Sequence, residues 1–485
     1  MLMKGQIILL VTVFVPILGA FFLPFIGTFS VRLRKYLALC FVTVSFISAT
    51  MMLEPLLKGQ TPYSFNWQFQ IATINISFGL LADWLAVFMA MISTFVSEII
   101  LLYSFGYISH YKNQNEYYLM VVLFIGAMMG IVFSTSLIFL YLFWEISAIC
   151  CWRLIGFFRE KEFILRADKA FLVTVFGALV MLLGFIIIYQ QTGTFDLTQM
   201  QGITVSNIAV LLIMFGIFSK SATLPLHTWL PDAGVAPSSV TSLLHAAVLV
   251  KIGVYVFARL FIINFNMDVM WHTVIPVIAG VSALVSAGAA LKETNLKRII
   301  AYSTISQLGF IFLGLSTGSK LAAAGGLLYI LMHSLAKAGL FLCAGIVEQT
   351  SKEKDITKMG GFITKMPVTA IAFLLCAFSV MGIPPFGGFF CKYMVIVGAV
   401  TDTWHPWIAI TFIIGAILTS IYLLRVFTMV FLGQEKVPSL KKEGSFTMLA
   451  SVTILAVLSL AGGILIYYPS SFVDHIVNQM GVMLK

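Results

Sequence analysis

The sequence predicts an all-α, polytopic membrane protein of about fourteen transmembrane helices. Three observations carry that expectation. First, of 485 residues 60% are apolar (AVILMFWYC) and only 10% are charged, and the mean hydropathy is +1.03. A soluble protein carries about 25% charged and about 45–50% apolar residues. Second, apolar windows of about 20 residues, the length that spans a bilayer as a helix, cover nearly the whole chain. Third, the basic residues sort strongly between the loops on the two sides. This composition excludes a soluble globular enzyme, a disordered chain and a nucleic-acid binder. The net charge of +10 instead suits a surface of anionic lipid. The six cysteines (40, 150, 151, 343, 376 and 391) have no CxxC spacing. Neither a metal site nor a disulfide framework is indicated, and no cofactor motif occurs.

Taken in order, the windows are 6–28, 35–57, 79–108, 116–133, 136–157, 170–190, 205–229, 239–262, 270–291, 299–317, 321–348, 366–399, 408–432 and 447–469. The opening MLMKGQIILLVTVFVPILGAFFL has too long an apolar run for a signal peptide and no small-residue cleavage site. It reads as a retained first helix. The longest polar intervals lie near 58–76, 159–169, 191–204, 349–365 and 433–446. Of the 29 Lys and Arg, Lys4, Lys58, Arg259, Lys320 and Lys485 fall on one side and six fall within the windows. The remaining 18, among them Arg34, Lys297, Lys441 and Lys442, fall on the other side. The positive-inside rule makes that richer side cytoplasmic. An even helix count follows, with both termini on the non-cytoplasmic side.

The six basic residues within the windows are Arg153, Lys220, Lys251, Lys337, Lys392 and Arg425. Glu98, Glu145, His245 and His333 join them. Arg153 and Arg425 lie towards window ends, where a long side chain reaches the surface. A charge at mid-bilayer costs roughly 2.5–3.5 kcal/mol, so four deep lysines and two glutamates cost about 15–20 kcal/mol before pairing. Two glutamates cannot match four lysines. A desolvated ammonium that loses and regains its proton is a proton carrier, whereas arginine stays charged. A single buried lysine could be interhelical glue; four independent ones argue for proton traffic. Either histidine alone is as readily a packing residue as a relay, and Glu98 as readily pairs a neighbouring helix.

Two windows contain helix breakers. MFGIFSKSATLPLHTWLPDAGVAP places Pro225 five residues after Lys220. AFSVMGIPPFGGFFCKYMV places Pro384 and Pro385 ahead of Lys392, among Gly382, Gly387 and Gly388. Proline removes a backbone donor and clashes with the preceding turn. Irregular backbone is tolerated in a membrane only where protein buries it or water reaches it, and transporters place ion sites at such breaks. The broken windows are the seventh and the twelfth, each the fourth of a five-helix set. Five helices per set make the second set enter from the opposite face. The expected organisation is three N-terminal transmembrane helices in 1–110, two inverted repeats in 111–262 and 263–433, each a half-channel, and a C-terminal transmembrane helix in 434–485. His333 and Lys337, at i and i+4, share a helix face. His245 and Lys251, six apart, would lie on different faces of a regular helix. Glu145, in YLFWEISAICCW, needs a cation, and Lys220 lies at comparable depth.

The blocks LFWEISAICCWRLIGF, SKSATLPLHTWLPDAGVAPSSVTSLLHAAVLVKIGVYVFARL, LKRIIAYSTISQLGF, HSLAKAGLFL and GIPPFGGFFCK resemble the antiporter-like proton-channel subunits. That family is shared by respiratory complex I, membrane-bound (energy-converting) hydrogenases and Mrp-type sodium/proton antiporters. The resemblance covers roughly residues 80–435, and PLHTWLPDA with the following AP is its most specific part. It implies that Glu145 pairs with Lys220, that His245 and Lys251 are relay members, that His333 and Lys337 form a central polar link, and that Lys392 ends the second half-channel. It also implies a prokaryotic plasma membrane, other membrane subunits as partners, H+ as the transported ion with Na+ as a further candidate, and no covalent chemistry. Arg153 and Glu98 depart from the family pattern; each marks a subunit contact or an altered ion route.

The primary expectation is a proton-translocating subunit of a redox-driven pump of the complex I or hydrogenase kind. The alternative is a D-type subunit of an Mrp antiporter without a redox partner. A haem- or quinone-binding enzyme fits poorly, because only two deep histidines occur, on separate helices. A passive scaffold leaves the deep lysines unexplained.

Overall fold

The chain's computed structural model describes residues 2–71, 74–401, 406–437 and 443–479. Lys441, Lys442 and Lys485, counted above among the loop charges, lie outside the described residues. Each of the fourteen windows contains helix. Among the described residues, twelve helices are long and apolar enough to cross a membrane, from Met3–Phe29 to Phe446–Ile464. The protein is therefore an all-α, multi-pass membrane protein. The seventh and twelfth windows are the exceptions. They hold three shorter apolar helices, Asn207–Lys220, Pro367–Met381 and Gly387–Thr401.

Helix ends follow the local chemistry. Ser30, Asn295 and Ser319 cap three helices, their side chains accepting from the N–H of Leu33, Arg298 and Ala322, which satisfies donors left without an intrahelical partner. Lys161–Thr192 stops at Gly193, whose φ of 71° suits a left-handed C-terminal cap.

The chain divides into two compact units. One comprises 1–98, 111–220 and 251–268; the other comprises 99–110, 221–250 and 269–485. In the first unit, Leu2–Phe29 packs on Val31–Met51 and on Gln114–Phe133, and Lys161–Thr192 packs on Asn207–Lys220. In the second, Lys320–Ser351 packs against Leu296–Ser316, Pro367–Met381, Gly387–Thr401 and Phe446–Ile464. Leu296–Ser316 and Lys320–Ser351 are almost wholly buried, whereas much of Leu2–Phe29 is not.

Three features differ from the sequence expectation. The interval 58–76 and the start of the third window form an antiparallel strand pair, Ser64–Ile71 with Ile74–Leu81. Its Gly79 carbonyl accepts from the Thr135 N–H at 3.0 Å. The alternation SFNWQFQI, read as merely polar, is a strand pattern with period two. The eighth window is not a regular helix, because Leu243–Ala247 and Ala258–Asn264 are π-helical. The face assignment for His245 and Lys251 assumed 3.6 residues per turn and does not carry across a π turn. Finally, Tyr467–Gln479 adds an amphipathic helix after the last window.

Candidate functional site

Both breaks end a helix beside a lysine. Asn207–Lys220 terminates at Lys220 itself, and Ala222 takes a left-handed φ of 50°. The chain then passes Pro225 in turns and a short helix, Trp229–Asp232, before helix resumes at Ser238. Pro367–Met381 terminates at Gly382, with φ 84°, and helix resumes at Gly387 after Pro384 and Pro385. Gly382 is required twice over. Its φ disfavours any side chain, and an added Cβ would sit 2.8 Å from the Lys392 Cδ. Gly388 permits the close approach of the two half-helices, since a Cβ there would clash with the Ser379 carbonyl oxygen.

Lys392 reaches back across its break. Its Nζ donates to the Val380 carbonyl at 2.7 Å and the Met381 carbonyl at 3.0 Å. These belong to the last turn of Pro367–Met381, where carbonyls lack intrahelical partners and the helix dipole is negative. Lys220 is fully buried; its Nζ donates to the Trp144 carbonyl at 3.3 Å and lies 5.3 Å from the Trp144 ring centroid. Neither lysine makes an ion pair among the described residues. Glu145 follows Trp144 and lies within electrostatic reach of Lys220, with the Tyr141 hydroxyl as its hydrogen-bonding neighbour. One Glu145 carboxylate oxygen is buried without a hydrogen-bond partner among the described residues. The two charges are neighbours rather than a contact pair.

Lys337 is fully buried, and its Nζ donates to Ser303 Oγ at 2.5 Å and to the Ile300 carbonyl at 3.4 Å. His333 lies one turn earlier on the same helix, its ring centroid 5.9 Å from that of Tyr329. His245 occupies the π turn, its ring tilted by 38° against that of Phe341 with the centroids 4.5 Å apart. Neither of its ring nitrogens has a hydrogen-bond partner among the described residues. Lys251 is fully buried on Leu249–Phe257. Glu145, Lys220 and Lys251 belong to the first unit; His245, His333, Lys337 and Lys392 belong to the second.

The two departures from the family pattern have partners. Arg153 pairs with Glu116 at 2.5 Å, and Arg159 pairs with the other oxygen of the same carboxylate. Glu98 is half-buried with Thr43 as a hydrogen-bonding neighbour.

Sequence reading missed several buried polar groups. Arg259, counted with the outer loops, is instead buried, its guanidinium bidentate on Asp83 at 2.5 and 2.7 Å. Lys297, counted with the inner loops, is also buried. It pairs with Glu348 at 2.7 Å and donates to the Ala236 carbonyl at 3.1 Å. Ser303, Gln307, Tyr329, Thr419 and Tyr422 form a buried polar cluster around Lys337. The signal for part of it was present, because Tyr329, His333 and Lys337 recur every four residues, as do Ser303 and Gln307.

Comparison with known proteins identifies the family. A family model described as "NADH:quinone oxidoreductase/Mrp antiporter, TM" matches residues 134–419, and one described as "NADH-Ubiquinone oxidoreductase (complex I), chain 5 N-terminus" matches 67–118. Among similar proteins are Na(+)/H(+) antiporter subunit A1 of Staphylococcus aureus, 31% identical, and that of Staphylococcus haemolyticus (strain JCSC1435), 32% identical. Each alignment covers 96% of this chain and 62% of the relative. The chain thus spans less than two thirds of the length of these relatives. The fold is that of a chain in the Mrp complex from Dietzia sp. DQ12-45-1b (TM-score 0.88, 20% identity, 98% of both chains covered). It is equally that of a chain in the membrane-bound sulfane sulfur reductase, an archaeal respiratory membrane complex (TM-score 0.87, 22% identity, 98% of both chains covered). The matched region 134–419 is more than half of the chain and contains both helix breaks with their lysines, and the chain belongs to the NADH:quinone oxidoreductase/Mrp antiporter transmembrane family.

Proposed function

We propose that this chain carries protons across a prokaryotic plasma membrane, as one subunit of a larger membrane assembly. Protons pass along Glu145, Lys220, His245, Lys251, His333, Lys337 and Lys392. One contrast carries the reading. The cations that hold the fold, Arg259 and Lys297, each contact a carboxylate. Lys220 and Lys392 are equally buried but rest on neutral carbonyls at helix breaks. An ammonium held by neutral oxygens can give up its proton without stranding a buried carboxylate, whereas a paired one cannot. His245, buried and with no hydrogen-bond partner for its ring nitrogens among the described residues, suits a transient acceptor.

The two half-channels are the inverted repeats 111–262 and 263–433, and both termini lie on the non-cytoplasmic side. The names of the relatives favour sodium/proton exchange as the driving process. The respiratory assembly among the solved structures keeps redox drive as the second reading.

The test uses everted membrane vesicles containing the whole assembly and a pH-sensitive dye. Lys220→Ala, Lys392→Ala and Glu145→Ala should each abolish coupled proton movement while the assembly forms in normal amount. Normal transport by both lysine variants refutes the reading. Adding sodium and adding a respiratory electron donor in separate runs identifies the driving process.

A further inference from the structure

Trp84–Tyr107 concentrates polar side chains where a membrane least tolerates them. Ser93, Thr94, Ser97 and Glu98 lie near the middle of the apolar span Trp84–His110. Glu98 meets Val31–Met51 there. The Thr43 hydroxyl is its hydrogen-bonding neighbour, and about one turn away the Phe46 and Phe95 rings meet with centroids 5.5 Å apart. Thr43 likewise lies near the middle of its own span, Val31–Leu57. Glu98 is half-buried, and its Oε1 is buried with no hydrogen-bond partner among the described residues. Nor does Glu98 make an ion pair among them. The charges of Val31–Met51 are Arg32, Arg34 and Lys35, near its start and about two turns or more from Thr43. Arg34 is taken up by the side chains of Gln114 and Asn115. Glu98 and Thr43 both belong to the first unit.

A carboxyl at mid-bilayer can be housed in three ways. It can pair with a cation, as Asp83 does with Arg259. It can stay permanently neutral, or it can exchange a proton. Glu98 has no such cation among the described residues, and its neighbour separates the other two. A hydroxyl both donates and accepts. Thr43 can therefore donate to the carboxylate and accept from the carboxylic acid, so it serves both protonation states. A side chain needed only as a hydrogen bond between helices could be glutamine, without the cost that an ionisable group brings to the bilayer centre. A metal cation fits less well, because hard cations take about six oxygen ligands. Beside Glu98 and Thr43 stand the two phenyl rings, and the Thr94 hydroxyl, on the Glu98 face of its helix, is committed to the Ala90 carbonyl at 2.6 Å. The position is also open to the bilayer, since Cys40 and Ile47, about one turn to either side of Thr43, are exposed.

We propose that Glu98, with Thr43, is a second proton-exchange site, set at mid-membrane in the first unit and outside the line of lysines. The Glu98 carboxyl releases its proton to water and is left as a carboxylate that accepts from the Thr43 hydroxyl. It then takes a proton back from water, and no other bond is made or broken. Thr43 positions the carboxyl and never holds the proton itself. The proposal rests on the reading that the assembly moves protons, and not on which lysines carry them.

The experiment makes two measurements on vesicles containing the whole assembly. The first uses dicyclohexylcarbodiimide, which dissolves in the bilayer and adds to protonated carboxyls. Mass spectrometry of the peptides should find Glu98 labelled, and added sodium should leave the labelling unchanged. An unlabelled Glu98 overturns the proposal, because the carboxyl is then permanently ionised or covered by a partner subunit. Protection by sodium overturns it in favour of a metal site. The second measurement is driven transport. Glu98→Gln keeps the size of the side chain and its hydrogen bond to Thr43 but cannot exchange a proton. Transport should fall about tenfold or more, the effect of raising one barrier by about 1.4 kcal/mol, while the assembly forms normally. Glu98→Asp keeps the carboxyl and should transport faster than Glu98→Gln. Wild-type transport in Glu98→Gln, or an equal loss in both variants, overturns the proposal, since position 98 then supplies only a hydrogen bond or packing. If Glu98→Gln does not assemble, Thr43→Val decides, because it removes the hydroxyl at nearly equal size. Slower transport supports the site, and wild-type transport overturns it. Lys392→Ala separates the two claims. If it abolishes driven transport while Glu98→Gln transports normally, only the second site fails. If both transport normally, the lysine reading fails as well.

Discussion

Replacing Arg259 with alanine should destabilise the protein by about 3 kcal/mol, at the lower end of the roughly 3–5 kcal/mol that follows breaking a buried ion pair. The side chains of Arg259 and Asp83 are 8% and 2% exposed, and both guanidinium Nη atoms contact the carboxylate. The guanidinium Nε also donates to the Tyr255 hydroxyl at 2.9 Å. Removing the guanidinium strands a buried carboxylate. The cost stays at the lower end because Asp83 keeps the bond from the Ala86 N–H, 2.9 Å long, at the start of Trp84–Tyr107. Thermal unfolding of the detergent-solubilised protein measures the effect, and a double-mutant cycle with Asp83→Ala isolates the pair. The double variant should cost less than the sum of the single ones, with a coupling of about 2 kcal/mol. A cost below about 1 kcal/mol for Arg259→Ala, or strict additivity, refutes the claim that this pair holds the fold.

Two further outcomes are expected. Gly388→Ala should lower the folded yield and cost about 1–3 kcal/mol, because the new Cβ would meet the backbone oxygen of Ser379, which cannot rotate away; an unchanged melting temperature would show that the half-helices separate freely. Lys297→Arg should retain both fold and transport, since arginine preserves the ion pair with Glu348, whereas Lys297→Met should unfold at a lower temperature; a loss of transport in a well-folded Lys297→Arg protein would place Lys297 among the carriers.

Much of the fold is legible in the sequence because the bilayer requires every spanning helix to carry an apolar run of about 20 residues. The breaks at Pro225 and at Pro384 and Pro385 are equally legible, since proline and glycine act through local backbone geometry. What escapes is what depends on neighbours distant in sequence. Whether Arg259 faces solvent or Asp83 is decided by two residues 176 positions apart, and hydropathy holds no record of that pairing. The π turn at His245 is another case, because the apolar run LLHAAVLV looks like any α-helical segment. The strand pair within 64–81 shows a third kind of miss, a short alternating segment overshadowed by the apolar windows around it. The polar run beside Lys337 was half visible. Ser303 and Gln307 lie in the AYSTISQ segment, but only the packing of Lys320–Ser351 and Trp407–Phe431 shows that Tyr329 and Tyr422 meet them.

The most direct test of proton carriage by lysine keeps the charge and removes the ability to lose it. Lys220→Arg and Lys392→Arg, assayed in vesicles holding the complete assembly, retain a permanent cation at each break, because arginine does not deprotonate. Coupled proton movement should be lost in both variants although the assembly forms normally. Transport at the wild-type rate in either arginine variant would show that a fixed positive charge suffices there, and would contradict the account.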